Sequence, residues 1–334
     1  MPEPDLQAYA VRTDLALEAR DMAASPGEGE VPGVWSETES RDGIRVTRME
    51  IRTDEASRKL GKMKGHYVTL EVPGLRNGDS DLYDRVADCF AREFEAFLGR
   101  LGVSASASVL IVGLGNVNVT PDALGPMVVE NLLVTRHLFE LMRDQVDPGY
   151  RPVSAIAPGV LGTTGIETSE IVQGVVERTK PDLLIAVDAL AARSLERVNT
   201  TIQIADTGIH PGSGIGNRRR GLTKEILGVP CLAIGVPTVV YASTIVNNAL
   251  DMLFSHIKQQ TSDSDSIIGS IGHLEEPERL QLVKEVLDPL GQDLLVTPKE
   301  VDEFMEATAN IVATGLNVAL HEAVRRDNAA AYTR

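Results

Sequence analysis

Two aspartates, Asp122 and Asp188, follow apolar runs of the kind that form buried strands. Asp122 comes shortly after the run 109–113 and its glycine-containing turn, and Asp188 directly follows the run 182–187. Because the strands of an open α/β sheet present their carboxyl ends at one edge, we expect the two carboxylates to lie together there. Two acids that share a site cannot both ionise freely, so one stays protonated, and the pair can activate water and protonate a leaving group. That chemistry suits amide hydrolysis.

The same aspartates could have structural roles instead. Thr120, Pro121 and Asp122 are typical of a helix start, with a capping residue, a proline suited to the first helical position and an acid in the first turn. Asp188 could cap a segment that begins at Ala189. The sequence leaves both interpretations open.

Other residues that could bind a ligand or catalyse a reaction lie in patterns less specific than those of the two aspartates. The glycine-rich loop 212–217, followed by three arginines, resembles a phosphate-binding loop only loosely, and a mobile, basic substrate loop is the preferred interpretation. His210 could join the two acids as a metal ligand, although a loop histidine with a structural hydrogen bond is the commoner case. Ser213 has no identifiable acid and histidine partners, and Cys231 lies in an apolar run where a thiolate is disfavoured. The segment 113–116 lacks the third glycine of a dinucleotide-binding turn.

Strand-like and helical segments alternate through the centre of the chain. After the central strand and its helix, the predicted elements are strand 152–157, helix 167–178, strand 182–187, strand 202–205, strand 230–236 and helix 241–257. This alternation predicts an α/β fold of three layers, a mainly parallel sheet flanked by helices on both faces.

The two ends of the chain add further elements. Two strand-like runs within 34–51 flank Arg41-Asp42-Gly43, a common hairpin signal, so an N-terminal β-hairpin region is expected. Apolar residues at helical spacing predict a helix over 81–101 and a long C-terminal helix over 299–324. Residues 261–290 have no clear periodicity, and we expect them to be mobile or irregular.

Composition and charge limit the kinds of function. The 334 residues are 43% hydrophobic, enough for a sizeable core, and their net charge is −16. A surface this acidic repels nucleic acid and anionic membranes. Cys89 and Cys231 lie in apolar segments, and two cysteines so placed exclude a disulfide framework and a CxxC metal site. Without a signal-peptide-like or membrane-spanning stretch, a cytoplasmic protein is expected.

Four long motifs stand out: GLGNVNVTPDALGPMVVENL at 113–132, APGVLGTTGIETSEIVQGV at 157–175, PDLLIAVDALAARS at 181–194 and TIQIADTGIHPGSGIGNRRRGL at 201–222. They resemble those of the germination protease family of spore-forming bacteria, and the resemblance covers nearly the whole chain. The resemblance implies an atypical aspartic endopeptidase that degrades small acid-soluble spore proteins when the spore germinates. Asp122 and Asp188 occupy the aspartates of the TPDALGP and IAVDALA motifs, so the resemblance implies that they are the two essential acids.

The resemblance also implies a zymogen. Its propeptide, residues 1–14, would be removed by autocatalytic cleavage between Asp14 and Leu15, which leaves a single peptidase domain over 15–334. An acid followed by an apolar and then a small residue, in a region that looks peripheral, is accessible to a protease. The family is homotetrameric, and the implied location is the cytoplasm of the spore core or forespore.

Within this hypothesis, loop groups around Gly115, Asn116, Thr163 and Thr164 would position the substrate, and no cofactor is implied. A more distant likeness to hydrogenase-maturation endopeptidases keeps a metal-dependent or nickel-sensing peptidase as an alternative, in which the two acids bind rather than catalyse. A non-enzymatic α/β module that binds an anion or nucleotide is the other alternative.

Overall fold

The predicted central strand forms as β4, Val109–Gly113, and all five of its residues are buried. It belongs to a nine-stranded sheet in a computed structural model that describes residues 11–24, 31–209, 220–260, 276–287 and 293–324. The other strands are β1 (Val34–Arg41), β2 (Ile44–Ile51), β3 (Gly65–Glu71), β5 (Val153–Ile156), β6 (Leu183–Ala192), β7 (Thr201–Ala205), β8 (Cys231–Tyr241) and β9 (Leu295–Val296).

The sheet is mixed, with the strand order β1-β2-β3-β7-β8-β6-β4-β5 and with β9 paired to β8. Pairing is parallel between β5 and β4, between β4 and β6 and between β6 and β8, and the other pairs are antiparallel. The α/β class is therefore confirmed. The described sheet is mixed rather than mainly parallel, because the N-terminal strands join it through β7 in antiparallel pairs.

Helices cover both faces of the sheet, as predicted. The helices are α1 (Ala16–Ala23), α2 (Asp54–Leu60), α3 (Ser80–Arg100), α4 (Leu124–Glu130), α5 (Arg136–Leu141), α6 (Leu161–Thr164), α7 (Thr168–Thr179), α8 (Lys224–Leu227), α9 (Ala242–Gln260), α10 (Glu276–Leu287) and α11 (Val301–Leu320). Within the described ranges, none of them has both the length and the apolar character needed to cross a bilayer.

Successive residues of β4 belong to different cores because side chains alternate across a strand. Val109 and Ile111 belong to the larger apolar cluster, which contains the buried faces of α3, α4 and α11. Leu110 and Val112 belong to a second cluster, which contains Val172 and Val176 of α7. This alternation explains why the whole strand is apolar.

The amphipathic helices at 81–101 and 299–324 are confirmed as α3 and α11, which pack against each other in the larger cluster. Phe90 and Phe94 of α3 are fully buried, with ring centroids 5.7 Å apart. A Cβ atom on Gly315 would overlap the Phe90 ring. The small residue therefore lets α11 approach α3 closely.

The predicted N-terminal hairpin is also confirmed. β1 and β2 pair along their full length, from Val34 opposite Ile51 to Arg41 opposite Ile44. Asp42 and Gly43 turn the chain with φ values of +53° and +83°, the positive-φ pair that a tight two-residue hairpin needs.

Several boundaries differ from the predictions. β6 and β8 continue to Ala192 and Tyr241 because their extensions pair with each other, and a sequence pattern does not show such pairing. The helix after β4 begins at Leu124 rather than at Pro121. Residues 276–287, within a segment that we expected to be irregular or mobile, form α10, whose apolar residues pack on α9.

His321, just after α11, is fully buried beside Tyr150, with ring centroids 5.4 Å apart. Its Nδ1 accepts a hydrogen bond from the Arg151 amide (3.3 Å), and its Nε2 lies 3.4 Å from the Leu133 carbonyl oxygen. Burial lowers the pKa of His321 to about 4. This effect is larger than that of the hydrogen bond to Leu133, which raises the pKa. The folded protein therefore holds this ring neutral.

We expect the free energy of unfolding to fall as pH drops from about 6.5 towards 4, because the unfolded histidine gains a proton that the folded one does not. The His321 ring can change the free energy of unfolding by at most about 1.4 kcal/mol per pH unit. Urea unfolding across that range should show a shallower dependence for His321→Gln. The exposed His137 provides the control His137→Gln, and equal slopes for wild type and His321→Gln would contradict this account.

Candidate active site

Asp122 ends a 3-10 turn, Thr120–Asp122, between β4 and α4. Gly115 has a φ of +116°, and a Cβ atom on it would overlap the main-chain carbonyl oxygen of Asp122, so the turn requires glycine. The Asn116 amide donates to that carbonyl oxygen (3.0 Å) and to Oδ2 of the Asp122 carboxylate (2.9 Å). The Thr238 hydroxyl donates to the Pro121 carbonyl oxygen at 2.6 Å. These contacts hold the Asp122 carboxylate against the turn.

Asp188 lies within β6 and is 8% exposed. It stands opposite Gly235 of β8, and its Oδ1 accepts a hydrogen bond from the Ala189 amide at 3.0 Å. Ala189 continues the strand, so Asp188 does not cap a helix. A carboxylate placed inside a buried strand has a large desolvation cost unless it has polar partners.

Both acids line one cavity of about 910 Å³. β4 and β6 are parallel neighbours, and the Leu114 amide donates to the Val187 carbonyl oxygen at 2.8 Å. The turn that leads to Asp122 therefore starts beside the residue that precedes Asp188. Both acids therefore lie near the carboxyl end of β4, although Asp188 lies within β6 rather than directly after that strand.

A third carboxyl residue, Asp14, lines the same cavity. Its amide donates to the Ala191 carbonyl oxygen (2.9 Å), and its Oδ2 accepts from the Ala191 amide (2.9 Å). Leu15 is fully buried, in a cluster with Leu190 and Val240. The prediction that the segment around Asp14 and Leu15 is peripheral and accessible is therefore wrong, because the Leu15 side chain has an apolar pocket at the end of β6.

Glu18 of α1 anchors this segment further. It is 2% exposed, and its carboxylate accepts hydrogen bonds from the amides of Arg193 (2.7 Å) and Ser194 (3.0 Å) and from the Thr13 hydroxyl. Arg197 completes the cluster with an ion pair to Glu18 at 3.2 Å. A buried acid of this kind is stable only while all of these partners stay in place.

The predicted substrate-positioning residues have different surroundings. Gly115 and Asn116 form the turn that holds Asp122, as described above. Thr163 and Thr164 lie in the exposed helix α6, where both hydroxyls donate to the Val160 carbonyl oxygen, and they are not among the residues that line the cavity.

Sequence reasoning missed several polar residues of the cavity wall: Lys62, Tyr67, Gln203 and Tyr241. Burial raises the pKa of each tyrosine to about 12, so both phenols stay protonated at neutral pH. Burial lowers the pKa of Lys62, and the nearby carboxylates of Asp14 and Glu18 oppose that effect. These residues are far apart along the chain and have no shared spacing, so no pattern identifies them.

Cysteine chemistry and metal chemistry are the two alternatives to the acid pair. Burial raises the pKa of the Cys231 thiol to about 12, which disfavours the thiolate as predicted. Across the parts of the chain that the structure describes, no three His, Cys, Asp or Glu side chains are grouped so as to hold a metal ion. His210, the predicted third ligand, and Ser213 lie outside the described residues, as does the loop 212–217.

Gly115→Ala should destabilise the fold by about 1–3 kcal/mol, because the added methyl group forces the Asp122 turn away from β4. Denaturant unfolding measures the change. Gly174 in α7 provides the control, since it is exposed and nothing lies within 4 Å of the position where its Cβ would be. Gly174→Ala should raise the free energy of unfolding by about 0.5–1 kcal/mol, because alanine is favoured over glycine inside a helix. Wild-type stability of Gly115→Ala would contradict the overlap.

Comparison with known proteins identifies the family. The family model described as germination protease, a peptidase family, matches residues 12–267 and 259–333. Similar proteins include the germination proteases of Bacillus licheniformis, 52% identical over 98% of both chains, Bacillus mycoides, 51% identical over 100% of both, and a Geobacillus species, 49% identical over 98% of both. These matches confirm the resemblance seen in the motifs. The chain therefore belongs to the germination protease family of peptidases.

Proposed function

We propose that this protein is a self-processing aspartic-type endopeptidase that hydrolyses small acid-soluble spore proteins during spore germination. The single observation that carries the proposal is the presence of Asp122, Asp188 and Asp14 on one cavity. Two of these residues supply the acids, and the third precedes the peptide bond that the family resemblance gives as the site of self-cleavage.

Each carboxyl of the acid pair performs one of two proton transfers. The ionised carboxyl takes a proton from water while the water oxygen bonds to the carbonyl carbon of the peptide. The protonated carboxyl gives its proton to the amide nitrogen as the carbon–nitrogen bond breaks. The products are a new carboxyl group and a new amine, and the pair returns to one proton per two carboxyls. The hydrogen bonds to Asp122 from Asn116 and to Asp188 from Ala189 orient the two groups for these steps.

The propeptide, the oligomeric state and the location in this proposal come from the family resemblance. We propose that residues 1–14 are a propeptide, that residues 15–334 are the peptidase domain, and that the enzyme is a homotetramer in the cytoplasm of the spore core. Gly115 and Asn116 contribute through the Asp122 turn, and Thr163 and Thr164 are proposed to meet the part of the substrate outside the described cavity.

Asp122→Asn and Asp188→Asn should each lower the rate of self-cleavage and of spore-protein cleavage by about 100-fold or more, because an amide cannot take up or supply the proton. Gel and mass-spectrometric analysis of timed samples measures both rates. The matched control is Asp147→Asn at an exposed loop carboxylate, which should cleave like wild type. Thermal unfolding checks that the variants fold, and full activity of either folded active-site variant would contradict the assignment.

Cleavage of the wild-type chain should produce a mature protein that begins at Leu15, which N-terminal sequencing determines. A chelator should leave the rate unchanged, because the proposed chemistry uses only carboxyls and water. Loss of activity with a chelator and its recovery with one added metal would favour the metal-dependent alternative of the hydrogenase-maturation type.

A further inference from the structure

The Lys62 side chain lies against the main chain on one side of the expected cleavage site. Its Nζ donates to the carbonyl oxygens of Thr13 (3.1 Å) and Asp14 (2.9 Å). The Asp14 carbonyl belongs to the peptide bond between Asp14 and Leu15. The ammonium group therefore contacts the oxygen atom that changes charge if water adds to this bond.

The backbone of Lys62 is fixed by the end of α2. Gly61 closes the helix in the left-handed conformation with a φ of +62°. The Lys62 amide donates to the Ser57 carbonyl oxygen (3.2 Å), and the Ser57 hydroxyl donates to the Lys62 carbonyl oxygen (2.6 Å). The side chain thus starts from a rigid position and points into the cavity that Asp122 and Asp188 also line.

Other groups hold the chain on both sides of the same peptide bond. Ala191 pairs with the Asp14 amide and carboxylate at 2.9 Å each. After the bond, the Ala16 amide donates to Oε1 of Gln203 at 2.7 Å, and the Leu15 side chain is fully buried. These contacts hold the peptide bond in place without Lys62. The contact that the lysine makes with this bond is the hydrogen bond to the Asp14 carbonyl oxygen.

A positive donor at this position has a defined effect on peptide hydrolysis. When the water oxygen bonds to the carbonyl carbon, an electron pair of the C=O bond moves onto the oxygen, and a charged donor stabilises it. When the carbon–nitrogen bond breaks, the pair returns to re-form C=O. The lysine donates a hydrogen bond throughout and keeps its proton, so the acid pair still performs both proton transfers.

We propose that Lys62 is a catalytic residue that stabilises the oxyanion formed on the carbonyl of the residue before the cut, Asp14 in self-cleavage. The inference rests on the proposed function, since it takes the bond between Asp14 and Leu15 as the bond hydrolysed. It extends that function by assigning the charge on the reacting oxygen to a residue outside the acid pair.

The test is the first-order rate of self-cleavage in the full-length chain. Lys62→Met keeps the length of the side chain and removes the charge, and it should lower this rate by about 100- to 1000-fold, the usual effect of losing an oxyanion donor. Lys62→Arg should recover part of the rate. Lys59→Met, at an exposed position of α2, the helix that precedes Lys62, should cleave like wild type.

Hydrogen exchange over 13–19 separates catalysis from anchoring of the segment. Because Ala191, Gln203 and Glu18 still hold the chain, these amides should stay protected in Lys62→Met while cleavage is slow. Wild-type cleavage by Lys62→Met overturns the inference, and so does a loss of protection that matches the loss of rate.

The acid-pair variants distinguish the two proposals. Inactive Asp122→Asn and Asp188→Asn together with an active Lys62→Met would reject only the role of the lysine. A wild-type chain that is not cut between Asp14 and Leu15, or acid-pair variants that cut normally, would reject the proposed function and this inference with it.

Discussion

The parallel pairing of β4 with β6 is the constraint on which the site depends. Parallel neighbours end at the same edge of a sheet, so residues that follow one strand meet residues of the next even when a long stretch of chain separates them. Here the hydrogen bond from Leu114 to Val187 fixes the relative height of the two strands. The Gly115 turn then folds Asp122 back toward that edge, and Asp188 reaches it from within β6. Neither acid could be placed by local structure alone.

The segment around Asp14 and Leu15 is held at this cavity in the way that a bound peptide would be, although it is part of the same chain. Ordering such a segment has an entropic cost, which the burial of Leu15 and the cluster around Glu18 and Arg197 offset. A tethered peptide needs no second encounter, so groups that touch it act with a high effective concentration. The arrangement suits the self-cleavage proposed above.

The cavity wall also limits the chemistry that the site supports. Tyr67 and Tyr241 have raised pKa values and therefore act only as protonated phenols near neutral pH. Cys231, close in sequence to the cavity residue Ala233, has its pKa raised in the same way, because a desolvated thiolate is unstable. With nucleophilic cysteine disfavoured, the other ionisable side chains of the described cavity wall that can act on a peptide beside Asp14 are the carboxyls, Lys62 and Arg58.

Elements with strong local signals were predictable from the sequence: the all-apolar β4, the Asp42-Gly43 hairpin and the amphipathic helices α3 and α11. The sequence also indicated Asp122 and Asp188, since each follows an apolar run, and the family motifs agreed. The extension of β6 past Asp188, the burial of Leu15 and the contact of Lys62 with Asp14 become visible in the folded chain. Local propensity acts over a few residues, whereas these features depend on pairing and packing between segments far apart in the chain, whose register has no counterpart in any one stretch of sequence.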